Sequence, residues 1–300
     1  MKRFRVACRL LMAVLVLALI GSPVLAKRAV DKSCEVSGAV RVSVESMSGN
    51  IVVTGGGSSV QVRGEVGDDV EGVELECDGG RVEITVLYPD HMKRMNAGNA
   101  NLEITVPASA SVRLEGLSTD QTVKGVNGKV ALEAMSGDLV VEGDPEEVRA
   151  ETLSGDIRIS AGAGKVSAEA ASGNITILGV SGEVRAETMS GNIELEAGSL
   201  DEADLATVAG NVSCRCDLSP GGRLTAEAVS GSVTLDLPDG INASFTLETF
   251  NGSIEATIGG KVRRPGKEDR YGPGRSLEFT QGTGEASVDV SVFNGKCIVK

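Results

Sequence analysis

Three sets of residues in this chain have the types and spacing that could do chemistry. The first is a run of glutamates, Glu133, Glu151, Glu169 and Glu187, spaced 18 residues apart. The spacing returns at Glu227 and Glu248, and Ala206 is the one gap. Carboxylates repeated in this way suit a hard cation such as calcium, or a cationic partner. The second set lies in two loops that hold both tyrosines. Tyr88, His91, Lys93 and Arg94 sit in one; Lys261, Arg263, Arg264, Lys267, Arg270, Tyr271 and Arg275 sit in or beside the other. Rings beside cations fit an acidic glycan or protein. The third is Cys214 with Cys216, a C-x-C pair that could hold a metal or exchange electrons.

Each set also has a plainer reading. The glutamates can be a solvated face that resists sheet-to-sheet association, with Arg149 and Arg185 offsetting part of their repulsion. The loops can be polar because they are exposed. The two cysteines, two apart on one strand with Cα atoms about 6.7 Å apart, are badly placed for a mutual disulfide and suit a core as small apolar residues. Catalysis has little to work with. His91 is the one histidine, and no Ser/His/Asp or Cys/His arrangement accompanies it. A β-helical glycosidase or lyase, the less favoured alternative, needs carboxylates about 5–10 Å apart in a cleft. Turns of three or four residues build no cleft walls, and the absence of Trp removes the usual sugar-stacking platform. The chain reads as a non-enzyme with no cofactor.

The elements that must carry these residues follow from a repeat. Ser-Gly recurs at Ser136, Ser154, Ser172 and Ser190 in steps of 18, then as Ala209-Gly210, Ser230-Gly231 and Asn251-Gly252 in steps of 19, 21 and 21. Ser48-Gly49 is an earlier member and Asn294-Gly295 a later one. The third turn position is Asp138, Asp156, Asn174, Asn192 and Asn211, residue types that bond their own turn amides. On either side of a turn, polar and apolar residues alternate, as in Val184–Thr188 and Ile193–Ala197, the pattern of half-buried strands. A weaker turn at Asn127-Gly128 and Ser181-Gly182 divides each unit in half.

Strand, turn, strand, turn in 18–21 residues predicts an all-β parallel β-solenoid, or β-helix, with right-handed winding as the default for parallel crossovers. A flat meander would leave its inward Val, Ile and Leu uncovered. The residues just before each turn, Met135, Leu153, Ala171, Met189, Val208, Val229 and Phe250, then stack into one apolar corner. The glutamates point outward about 4.8 Å apart, each neighbouring pair repelling by just under ~1 kcal/mol in water. Val140, Arg158, Thr176 and Glu194 form a mixed column on the opposite face. Scarce aromatics (no Trp, two Tyr, five Phe) agree with a thin core. The two loops should lie about nine coils, or roughly 40 Å, apart.

The N-terminus reads as a secretory signal over 1–26. Lys2, Arg3 and Arg5 precede the apolar run 10–20, and Val24-Leu25-Ala26 offers a cleavage site. Eleven apolar residues fall short of the roughly 20 that cross a bilayer, so no membrane span is expected after cleavage. The expected location is exported: periplasmic, cell-envelope or extracellular. Five cysteines then remain, an odd number that leaves at least one unpaired within the chain. A net charge of −13 disfavours nucleic acid and anionic lipid as partners.

Ordered motifs across nearly all of residues 27–300 carry a resemblance. Leu102-Glu103-Ile104-Thr105-Val106-Pro107 leads into Val123-Lys124-Gly125-Val126-Asn127-Gly128 and the Ser-Gly-Asp turns. Gly272-Pro273-Gly274-Arg275-Ser276-Leu277, Gly282-Thr283-Gly284 and Val292-Phe293-Asn294-Gly295 follow. The set resembles the bacterial "putative adhesin" β-strand-repeat family, a domain of unknown function. The resemblance implies an exported, non-catalytic β-solenoid with adhesion as its role, and supplies no catalytic residues. Cys297 departs from the Ile or Val more usual after the turn. Residues 27–300 are expected to form one solenoid domain: irregular coils over 31–107, regular repeats over 108–258, and a loop with a capping coil over 259–300. The function expected is an adhesion or interaction module that binds a protein or glycan at the cell surface. The alternative is a structural or stress-sensing component of the envelope.

Overall fold

Strands form here because apolar residues recur at every second position and β-branched residues fill many of those sites. The computed structural model describes residues 28–89, 98–265 and 274–300. The expected signal segment and the candidate residues His91, Lys93, Arg94, Lys267, Arg270 and Tyr271 lie outside the described residues. The described residues contain 21 strands and no helix. In chain order these are β1 (Arg28–Cys34), β2 (Arg41–Gly55), β3 (Val60–Val66), β4 (Gly72–Asp78), β5 (Arg81–Leu87), β6 (Ala100–Val106) and β7 (Ser111–Lys124). The regular region holds β8 (Lys129–Ser136), β9 (Leu139–Gly143), β10 (Glu147–Ser154), β11 (Ile157–Ala161), β12 (Lys165–Ser172), β13 (Ile175–Leu178) and β14 (Gly182–Ser190). Then come β15 (Ile193–Ala209), β16 (Val212–Ser230), β17 (Val233–Asp236), β18 (Ala243–Ile258), β19 (Lys261–Arg263), β20 (Arg275–Gln281) and β21 (Ala286–Val299).

Pairing follows the repeat. From β7 to β16 each strand lies parallel to its equivalent one repeat away: Glu151 faces Glu133 on one side and Glu169 on the other, and Ile157 lies between Leu139 and Ile175. One repeat is thus one rung with two faces, before and after the Ser-Gly corner. Long strands such as β7, β15 and β16 continue through a corner, so hydrogen bonding joins both faces into one mixed 21-stranded sheet. The inward columns are Val130, Val148, Val166 and Val184 on the first face, with Ile157, Ile175 and Ile193 on the second, all buried. A core only two side chains thick needs no large rings, which is why so few aromatics suffice.

The corner has two locks. The turn glycines other than Gly252 adopt positive φ, 152° at Gly173, and a Cβ there would lie 1.9 Å from the Gly155 carbonyl oxygen of the rung below. Stacking at this spacing therefore excludes any side chain. Beside them the Asp/Asn side chains form a ladder: the amide of Asn174 donates to Asp156 Oδ1 at 2.7 Å, that of Asn192 to Asn174 Oδ1 at 3.0 Å, and that of Asn211 to Asn192 Oδ1 at 2.9 Å.

Both ends are closed by antiparallel strands. At one end β4 covers β5, and β1 covers β3; a Cys34–Cys77 disulfide ties these two edge strands across the faces. Cys214, Cys216 and Cys297 are free and buried. At the other end β20 and β19 both pair with β18. The last strand, β21, does not lie on that edge. It inserts between β16 and β18 on the first face, and between β17 and β18 on the second. Chain order and spatial order differ there, so Ser291 separates Glu227 from Glu248 in the glutamate column.

Candidate functional site

On the rung containing Leu153 the first face runs Arg149, Ala150, Glu151, Thr152, Leu153 and Ser154. Alternation sends Ala150 and Thr152 inward and Arg149, Glu151 and Leu153 outward. The pairing runs through Thr152↔Ala170, skips one residue and resumes at Ser154↔Ser172, so Leu153 stands at a bend. Repeated up the stack, this places the residue before each turn serine on the outer surface. Met135, Leu153 and Met189 are 54%, 55% and 64% exposed, and Val208, Val229, Phe250 and Phe293 are exposed with them. The apolar corner expected from the repeat is real, but it faces water. At its far end the Phe250 and Phe293 rings stack with centroids 4.8 Å apart.

The glutamates form the parallel outward column, two residues away along the strand, or about 6.7 Å. Between the two columns runs a groove of about 1020 Å³ over eight rungs, from Glu45 and Met47 to Glu227 and Val229. Its floor consists of small residues, including Gly116, Ala134, Thr152, Ala170, Thr188 and Thr207. The threonine hydroxyls turn away from it: Thr188 donates to the Gly173 carbonyl at 3.1 Å and Thr207 to that of Gly191 at 3.0 Å. The groove thus has an acidic wall, an apolar wall and a floor whose polar groups are engaged.

Arginines two residues upstream brace part of the acidic wall. Arg113 bonds both Glu115 and Glu133, Arg149 bonds Glu151, and Arg185 bonds Glu187; Glu169 has no ion pair among the described residues. These pairs are exposed and contribute little to stability. Nearby, the hydrogen bond from Lys129 holds the Glu147 carboxyl below its ordinary range. The glutamates run in a line, and no group of three or more metal-ligating side chains comes together among the described residues. The Cys214 and Cys297 thiols are poor nucleophiles. The hydrogen bond to Cys216 and then burial push the Cys214 thiol up, and burial pushes that of Cys297 up to about 12.

Of the loop residues, Tyr88 lies at the N-terminal end of the groove, where its hydroxyl accepts from the amides of Met47 at 3.1 Å and Ser48 at 3.2 Å. Arg263 and Arg264 lie at the opposite end of the stack. Arg263 donates to the Ile258 carbonyl and to Gln281, and its guanidinium sits 4.5 Å from the centroid of Phe279, which in turn stacks on Phe245. Arg264 pairs with Glu255 at 2.8 Å. Tyr88 and Arg263 therefore knit their own ends together, and the structure brings neither into one cluster with the glutamates' central rungs. The groove itself was missed by sequence reasoning, although its signal was present. Glu133 and Met135 are two apart, so they share a face, and an outward glutamate implies an outward methionine.

Stacked rungs, closed ends and a two-walled surface groove define an all-β repeat protein. The chain belongs to the Toastrack DUF4097 family, whose sequence profile matches residues 42–299. No curated protein matches the chain. Among solved structures it is similar to a "putative adhesin" of Bacteroides fragilis, with 14% identity over 92% of this chain and 99% of that one and a TM-score of 0.47. A "putative adhesin" of Parabacteroides distasonis shares 9% identity over 91% and 97% of the chains, with a TM-score of 0.44. A "putative cell adhesion protein" of Clostridium sporogenes shares 11% over 92% and 99%, with a TM-score of 0.27. Among the described residues no helix is long and apolar enough to cross a membrane.

Proposed function

We propose that this protein is an exported, non-enzymatic β-solenoid, wound right-handed, that serves as an adhesion or interaction module at the cell envelope. One observation carries the reading: a file of apolar side chains, large except at Ala171, held outward on successive rungs. The stack does not need them there, because its core is complete on the inward columns. Single exposed apolar residues are ordinary, whereas an aligned file beside a file of carboxylates is the pattern of a contact surface. The short turns build no cleft, and the free cysteines are buried away from this surface.

The test compares the protein with a Leu153→Ser/Met189→Ser variant for retention on immobilised envelope glycans and envelope proteins. Both should melt at the same temperature, since the two side chains are exposed. Retention should fall at least tenfold in the variant. Equal retention would remove the groove from the function, and no retention of either would count against an adhesive role.

A further inference from the structure

The groove itself specifies the chemistry of an occupant, and the inference rests on the contact-surface reading above. Among the described residues, seven glutamates line it and no lysine or arginine does. Three arginines, standing outside the wall, bond some of these carboxylates. The acidic wall therefore keeps a surplus of negative charge, at Glu45, Glu169 and Glu227 and where Glu115 and Glu133 share Arg113, while the opposite wall is apolar. A neutral apolar ligand would bury carboxylates without compensation, and an anionic one would add repulsion. The occupant must present cations to one side and apolar groups to the other.

Width decides its shape. The walls rise from residues about 6.7 Å apart, too narrow for a helix that measures about 10–12 Å with its side chains. An extended peptide is narrower, and its side chains leave the backbone alternately to left and right. Lying along the stack axis over the floor of Gly116, Ala134 and Ala170, such a chain sends every odd residue to one wall and every even residue to the other. Eight rungs at about 4.8 Å span roughly 34 Å, the length of ten extended residues.

We infer that this groove binds an extended polypeptide segment of about ten residues in which Lys or Arg alternates with apolar residues. The cations lie along the Glu115–Glu227 wall, and the apolar side chains lie between Leu117, Met135, Leu153 and Met189. The floor offers no free hydrogen-bonding edge, so recognition is by charge and apolar contact, and many alternating sequences of this class should bind.

The probes are two acetylated, amidated decapeptides labelled for fluorescence anisotropy, with spermine as an unlabelled competitor. One peptide alternates lysine and leucine throughout; its block isomer places all the lysines before all the leucines. The alternating peptide should bind the purified protein at least tenfold more tightly than the block isomer. Raising salt should weaken it, because the carboxylates are exposed. A Glu151→Gln/Glu169→Gln/Glu187→Gln variant should lose at least tenfold in affinity and most of the salt dependence. Leu153→Ser/Met189→Ser should lose affinity while keeping the salt dependence. Equal binding of the two isomers, or displacement by spermine at matched cation concentration, would overturn the proposal by reducing it to charge alone. If no peptide binds while the Leu153→Ser/Met189→Ser variant still loses envelope retention, the occupant is wrong and the contact surface stands.

Discussion

At the scale of single residues, the corner is the most demanding position in the molecule. Gly173 combines φ of 152° with a carbonyl 1.9 Å from where a Cβ would stand, so two independent penalties meet at one site. Gly173→Ala is expected to lower the unfolding free energy by at least ~3 kcal/mol. Gly164, where a Cβ would meet nothing within 4 Å, is the matched control, and Gly164→Ala should be neutral or stabilising by about 0.5 kcal/mol. Urea denaturation of the two variants checks both figures. The neighbouring ladder explains why the third turn position accepts both Asp, at 138 and 156, and Asn, at 174, 192 and 211. Either side chain accepts the next rung's amide, but only Asn also donates: Asn192 Nδ2 reaches Asn174 Oδ1 at 3.2 Å. The Ser-Gly-Asp/Asn motif is thus spent on stacking, and chemistry is left to the side chains displayed outward.

At the scale of elements, stability depends on how the two ends are closed. Open end strands would offer free hydrogen-bonding edges to other chains. β1 and β4 cover those edges at one end with exposed polar residues, and the Cys34–Cys77 bond, spanning 43 residues, fixes them to each other. Loop-closure entropy for that span is worth about 4 kcal/mol. In a stack where each rung touches only its neighbours, the loss should stay local. A Cys34→Ser/Cys77→Ser variant is therefore expected to lose amide-exchange protection in β1, β3 and β4 while β11 and β13 keep theirs. Uniform loss along the chain would contradict this. The other end is closed by Phe245, Phe279 and Arg263 stacked in sequence. This recasts Arg263: replacing it with Glu would disturb the end closure as well as any partner, so Arg264 is the cleaner probe of that loop's charge.

At the scale of the whole molecule, the repeat makes length adjustable. Removing residues 155–172 deletes one complete rung and joins Ser154 to Gly173, leaving each column in register. The shortened protein should fold with the same circular dichroism per residue and be about 4.8 Å shorter by small-angle scattering. Removing only residues 164–172 should abolish folding, because half a rung places second-face strands in first-face positions. Failure of the full-rung deletion would mean that the stack is not modular.

The amino-acid sequence by itself determined the all-β class, the 18-residue rung, the Ser-Gly corner, the inward Val, Ile and Ala columns and the outward glutamates. These are local consequences of alternation and of a period read directly along the chain. Glu133 to Glu187, read from that period, line one wall of the groove. Tertiary structure alone decided the rest. The insertion of β21 between β16 and β18 leaves no mark in local pattern, since Asn294-Gly295 looks like any later turn and its partners lie far away in sequence. The Cys34–Cys77 pairing depends on two edge strands meeting at one end. The groove depends on a bend at each residue before the turn serine, which turns two ordinary outward columns into facing walls. The carboxylate column and the apolar corner read from the repeat are the two sides of one channel, because only stacking in three dimensions shows that both point to water.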